Sequence, residues 1–387
     1  MILGYGARNC WCFRDWMEVD LELDSNVPKD ISMNLPAATA LCFRGANASG
    51  KTNGLKVITF IHFFATESFL LKPEDRIPYA PFFNNDGESE FYIRFCSDNA
   101  CYRYEVTMTT ANILEERIYR RLNAAGSRET IVFERNDREI IKNTLYKGHT
   151  DIPLRTNASI ISTLHQYGIE EITDIYNALK GIYTNVSFHG MNYQGAIDHH
   201  TVSKYLYENS DMLDKISNIM AGFDTGIESI TINKIKDENN NDIYLPVFNH
   251  IRENESSYPM HYDDESSGTK RLYVLLMHYL DTLRKGGLLI IDDIDANLHP
   301  DILPYLLDMF ITRKNNPNNA QIIFTTHSNN IMDILGRYRT YIFEKTNGES
   351  ICYRVDEINS SKLRNDRPIS VPYEKKLLGG VPRISNQ

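Results

Sequence analysis

The stretch "RGANASGKTN", Arg44 to Asn53, satisfies the spacing GxxxxGK[ST] in full. Glycines at 45 and 50 let a backbone wrap closely, so that successive N–H groups and a following helix N-terminus face phosphate oxygens. Lys51 offers charge to the outer phosphates, and Thr52 offers a hydroxyl to magnesium. Gly45, Ala46, Asn47, Ala48, Ser49, Gly50, Lys51, Thr52 and Asn53 are therefore candidate nucleotide-binding residues.

Three further clusters fit the same chemistry. The apolar run Leu288 to Ile291 ends on Asp292 and Asp293. A carboxylate at the end of a buried strand beside a phosphate loop is placed to hold a magnesium shell, and a second one just beyond it can polarise a water. In "DESSGTKRL" (264–272), Ser266 or Ser267 reads either as a plain helix N-cap or, with Gly268, as donors aimed at a phosphate. That helix begins about twenty residues before the acidic strand and does not easily reach its own loop, which points to a nucleotide on a second copy. His327, in "IIFTTHSNN", follows another apolar strand, where an imidazole can meet a terminal phosphate or water.

The elements that must position these residues are legible. "WMEVDLELD" alternates like a half-exposed strand, "ATALCFRG" reads as a buried strand, and "KTNGLKVITFIHFF" has helical spacing. Strand, loop and helix follow in the order a phosphate loop requires. From Ser89, alternating runs such as "SEFYIRFC" and "ACYRYEVTMT" predict an antiparallel β-lobe. Between 151 and 259 the pattern is mostly helical, with an acidic turn in "KIKDENNNDIY". The runs at 288 and 321 predict buried parallel strands separated by a helix.

The bulk composition bounds the function classes. The chain has 387 residues, 42% hydrophobic and 24% charged, enough for a large α/β domain with an insertion. Its formal charge of -10 gives no global basic field for nucleic acid. Six scattered cysteines and the lack of a leader pattern predict free thiols in a reducing cytoplasm, with "CWC" (10–12) packed in a core. No apolar run reaches the ~20 residues of a membrane span. "IDHH" (197–200), with Asp198 to His200 as the possible ligands, reads as a solvated turn rather than a metal site, and "ERIYRRL" (116–122) as a strand whose alternate residues face solvent.

The four chemical clusters in this order resemble the ABC-type ATPases, in the group of the SMC-type heads and the OLD-like ATPases of bacterial anti-phage defence. The AAA_15, RloA- and AbiL-like members look most similar, through "LHP" (298–300) and the tail "YEKKLLGGVPRI" (373–384). The resemblance implies an α/β fold: an ABC-type P-loop NTPase head with an antiparallel β-lobe and an inserted helical subdomain. Residues 1–150 would carry the phosphate loop and β-lobe, 151–259 the insertion, and 260–387 the rest of the head. It implies ATP and Mg2+ as cofactors and two heads that sandwich two ATP molecules. By position, Gly45 to Thr52 would be the Walker A loop, Ser266, Ser267 and Gly268 the signature turn, Asp292 the Walker B and metal residue with Thr52, Asp293 the catalytic carboxylate, Asp295 to Leu298 the D-loop, and His327 the switch histidine.

Two departures stand out. Asp293 is one methylene shorter than the usual glutamate, and a displacement near 1 Å at a reacting centre costs on the order of 10²-fold in rate. Either hydrolysis is slow, the backbone compensates, or Asp295 reaches in. No glutamine lies between Thr52 and Gln166 to serve a Q-loop, and Pro81 to Asn85 is the place for a substitute. The chain ends soon after the tail motif, without room for the C-terminal nuclease of OLD proteins. The implied function is an ATP-driven dimerising switch that controls a separately encoded nuclease or toxin. The rivals are a RecF-like repair ATPase that grips DNA, and an ATP-bound scaffold with negligible turnover.

Overall fold

The computed structural model describes residues 1–381 apart from 98, 125, 148–151, 188–189, 192–198, 224–225, 252–256, 359–362 and 364–366. The fold is mixed α/β, and its centre is a six-stranded sheet. Across it the order is Glu349–Arg354, Thr340–Thr346, Ala40–Gly45, Gln321–Thr325, Leu288–Ile291 and Ile182–Thr184. All pairs are parallel except the hairpin of the first two strands. Strands buried on both faces take mostly apolar residues, which is why Ala40–Gly45, Gln321–Thr325 and Leu288–Ile291, buried along their whole length, read as near-continuous runs.

Alternation along each strand feeds two cores. Leu41, Phe43, Leu288 and Ile290 enter one, while Ala40, Cys42, Leu289 and Ile291 enter the other. The first core is shared with a seven-stranded antiparallel sheet, the expected β-lobe, built from Ile2–Arg8, Met17–Asp20 and five strands between Ser89 and Asn143. Helix Lys51–Glu67 lies between the two sheets, with the Phe60 ring 4.7 Å from Phe91 and 5.4 Å from Tyr79. The phosphate loop is therefore braced by a helix buried along most of its length.

A fully buried pair, Arg135 and Glu116, ties the lobe to the segment leading into helix Ile160–Gln166. Glu116 also accepts from Tyr104 Oη (2.6 Å) and Ile160 N (2.9 Å), and Arg135 donates to the carbonyls of Arg155 and Ala158. Each charge has the hydrogen bonds that a buried ion needs.

Residues 151–259 hold the expected helices, and they hold more. Helices Ile160–Gln166 and Thr173–Lys180 pack in the first core, Ile182–Thr184 is an edge strand of the central sheet, and Ile227–Lys236, Asp242–Ile251 and Ser257–His261 form a three-stranded antiparallel sheet. The strand at 182 is only three residues long, too short to leave a periodic signal. "KIKDENNNDIY" is the hairpin turn of that smaller sheet, closed by Asp237 accepting from Asn239 and Asn241.

One expectation is corrected. Cys96 and Cys101 form a disulfide, because the antiparallel register sets them directly opposite on adjacent strands. Cys10, Cys12 and Cys42 are free and buried, in keeping with the core reading of "CWC". No helix among the described residues is long and apolar enough to cross a membrane.

Candidate functional site

Strand Ala40–Gly45 delivers the chain into the loop at the edge where the parallel strands end. Gly45 is required by close approach: a Cβ there would lie 2.4 Å from the Phe343 carbonyl oxygen and 2.5 Å from Ser49 Oγ. Gly50 is required by conformation, with φ of 109°, and a Cβ would meet Ser350 at 2.9 Å. Gly50 is also the helix N-cap and has no side chain to satisfy the first-turn N–H groups. Those donors stay open to an anion, with the helix dipole behind them.

Lys51 is buried, and its Nζ donates to the carbonyls of Gly45 (2.9 Å) and Ala46 (3.0 Å). Burial lowers its pKa, and the nearby Asp292, Asp293 and Asp295 act against that shift. The ammonium thus lies folded over the loop, at the place a phosphate would occupy. Asn53 instead donates to Cys12 Sγ at 3.0 Å, beneath the loop.

Asp292 is the centre of the acidic side. It is 6% exposed; Oδ2 accepts from Thr52 Oγ1 (2.7 Å), and Oδ1 accepts from Thr325 Oγ1 (2.6 Å). Thr325 in turn accepts from the Asp293 N–H at 2.7 Å. Asn185 clamps the Asp292 backbone both ways, accepting from its N–H (2.8 Å) and donating to its carbonyl (3.1 Å). A hydroxyl and a carboxylate in direct contact, supported by a second hydroxyl and an amide, make the hard-oxygen donor set that suits Mg2+. Thr52 and Asp292 would hold it.

Asp293 follows in a left-handed conformation, φ 56°, which turns its side chain out of the strand. Burial raises its pKa, Asp295 adds to the rise, and His327 and Arg271 oppose it. A carboxylate raised in this way is a better proton acceptor than an ordinary aspartate. Asp295 is occupied elsewhere: its Oδ2 accepts from the backbone N–H of His327 at 2.8 Å. The His327 side chain is exposed and lines a cleft of about 860 Å³ with Arg44, Gly45, Ala46, Asn47, Asn329, Tyr373, Glu374 and Val381.

Ser266 is the N-cap of helix Ser267–Lys285, accepting from Thr269 N at 3.1 Å. The helix start is pressed on the segment after Asp293: a Cβ on Gly268 would lie 2.9 Å from Asn297 O, and Arg271 donates to Asp293 O at 2.6 Å. The strand it serves is two strands away from the phosphate-loop strand, with Gln321–Thr325 between. Gly268 thus stands against Asn297, just past the acidic strand, and among the described residues no hydrogen bond joins Ser266, Ser267 or Gly268 to the phosphate loop.

Lys51, Thr52, Asp292, Asp293, Asp295 and His327 are brought together. At Pro81 to Asn85, Phe83 and Asn84 have positive φ, and the Asn85 side chain is bonded to Asn9, Phe82 and Gly87. Of "IDHH", Asp198 lies outside the described residues, while His199 stacks on Tyr262. Pro382 to Ile384 of the tail lie outside them as well. Sequence reasoning missed Asn185, Thr325, Arg271 and Arg44. Only Thr325, one strand end away from His327, carried any local hint.

No curated protein matches the sequence. Among solved structures, the chain is similar to the SMC head domain from Thermotoga maritima, at 13% identity and TM-score 0.45, covering 92% of this chain and 98% of that one. It is also similar to an SMC head from Pyrococcus furiosus bound to the C-terminal domain of ScpA, at 11% identity and TM-score 0.48, covering 92% and 97%. The family model described as "AAA domain, putative AbiEii toxin, Type IV TA system" matches residues 41–333. That span holds the phosphate loop, the acidic strand and the histidine, and the chain belongs to this AAA-domain family, AAA_21.

Proposed function

We propose that the chain binds ATP with Mg2+ and works as a dimerising ATPase switch. The observation that carries this reading is the hydrogen-bonded line from Thr52 through the Asp292 carboxylate and the Thr325 hydroxyl to the backbone N–H of Asp293, with the Asp295 carboxylate holding the backbone N–H of His327 beside it. The uncapped helix and Lys51 would take the phosphates, and Thr52 and Asp292 the metal. Bound Mg2+ would supply charge neutralisation at the phosphates. Asp293 would accept the proton of an attacking water, with His327 beside it and Thr325 holding its backbone. The signature turn, seated beyond the acidic strand, would reach the nucleotide of a second copy.

The further step is control of a separately encoded nuclease or toxin in bacterial defence against phage. What supports a defence setting is the family description, which names a Type IV toxin–antitoxin system. Direct DNA gripping is disfavoured by the outer face of the β-lobe, where Arg94, Arg103 and Arg117 are each paired with two carboxylates. The deciding experiment is the mass in solution with and without ATP and Mg2+, for the native chain and Lys51→Ala. Growth in assembly with ATP, lost in the variant, supports the switch; an unchanged mass sinks the sandwich. Co-expression with neighbouring genes and phage challenge then tests the effector, and the absence of any stable partner would remove that half.

A further inference from the structure

Arg44, the residue just before the phosphate loop, is 5% exposed, and its Nε has no hydrogen-bond partner among the described residues. A buried guanidinium is costly unless its bonds repay desolvation, and an aliphatic side chain would fill the same space at less cost. The bonds it does make are specific. One terminal nitrogen donates to the Thr326 carbonyl at 2.9 Å, and the other donates to Asn329 Oδ1 at 2.6 Å. These acceptors flank His327 on both sides.

The same guanidinium lies over the Tyr373 ring, 5.0 Å from its centroid. Asn329 uses its other end to donate to Glu374 at 2.6 Å, and Asp333, one turn further on, accepts from both N and Oγ of Ser370. The tail then returns to the loop. Tyr373 Oη donates to the Gly380 carbonyl, and a Cβ on Gly380 would stand 3.5 Å from Gly45 Cα and 3.2 Å from Phe343 O. Phosphate loop, histidine loop and tail therefore share one set of contacts.

We infer that Arg44 is a positioning residue that sets the His327 loop against the phosphate loop, and that Ser370–Val381 is the strap through which this setting is reported to the outside of the molecule. The inference rests on the ATP reading. A fork of two donors fixes both sides of a short loop, which a lysine, as a point charge, does not do. If His327 moves to meet a terminal phosphate, Thr326, Asn329 and, through Glu374 and Asp333, the tail must move with it.

The test is hydrogen exchange on the whole chain, free and with the β,γ-imido analogue of ATP plus Mg2+, with nucleotide affinity measured in parallel. In the native chain, amides of 46–54, 329–335 and 371–376 are expected to change together. Arg44→Met and Arg44→Lys should keep the change at 46–54, with affinity within about threefold, and lose it at 371–376; turnover, where measurable, should fall about tenfold or more at unchanged KM. Glu374→Ala, at an exposed position, serves if Arg44→Met fails to fold, and should weaken only the tail response. The inference is overturned if the native tail stays silent while 46–54 responds, or if the tail of Arg44→Met still responds. Full rescue by lysine would overturn it too, since that assigns the role to charge. Absence of nucleotide binding by the native chain would overturn the ATP reading, and the inference with it, and the affinity measurement separates that outcome from the others.

Discussion

At the scale of single residues, the site is a line of hydroxyls and carboxylates whose protons and charges depend on one another. Asp293 sits where burial and Asp295 raise its pKa. The native state therefore holds a proton at higher pH than the unfolded chain does, and the aspartate's contribution to stability is lost as pH rises through the interval above the ordinary carboxylate value. Asp293→Asn should then be slightly more stable at pH 7 than the native chain while losing turnover. Thermal melts and phosphate release on the same samples check both, and a destabilised variant would contradict the raised pKa. Asp293→Glu places the carboxylate one methylene further out. A rate gain on the order of 10-fold or more would mean that the short side chain holds turnover down, and no gain would mean that the left-handed backbone at 293 already compensates.

At the scale of elements, backbone conformations hold the loop and the two helix starts. Gly50→Ala must accept φ of 109° and a Cβ 2.9 Å from Ser350, so a loss of about 2 kcal/mol or more in urea unfolding is expected, together with loss of nucleotide binding. Ser266→Ala removes an N-cap, which costs about 1 kcal/mol. It should nonetheless abolish ATP-dependent assembly if the turn contacts a partner's nucleotide, whereas an assembly that tracks the small stability loss alone would leave Ser266 as a plain cap. Within helix Ser267–Lys285, His278 is 7% exposed with both ring nitrogens unpartnered among the described residues, and burial pushes its pKa down to about 4. Its neutral form favours the folded state above the ordinary histidine value of 6.5, and that stability drains away as pH falls from there toward about 4. The urea midpoint should therefore drop between pH 7 and about 4.5, and drop less in His278→Leu.

At the scale of the whole molecule, the central sheet brings together residues that the chain keeps far apart. The phosphate loop was legible because strand, loop and helix are contiguous, and their glycines, lysine and threonine act through local backbone geometry. The acidic strand and His327 were legible for a related reason: a buried strand needs an unbroken apolar run, and the polar residue that ends it stands out. Asn185 could not be found that way, since it meets Asp292 from 107 residues off, after a three-residue strand with no period to read. The same holds for Arg44, whose partners lie 282 and 285 residues away, and for the strands Ile227–Lys236 and Asp242–Ile251, which only strand pairing creates. The disulfide between Cys96 and Cys101 likewise depends on which strand residues face each other across the lobe. What the sequence determined by itself was the set of local devices, each written in neighbouring residues and period. Which hydroxyl supports which carboxylate, and which arginine holds the histidine loop, was decided by sheet order and register, because those contacts arise only when distant segments are packed side by side.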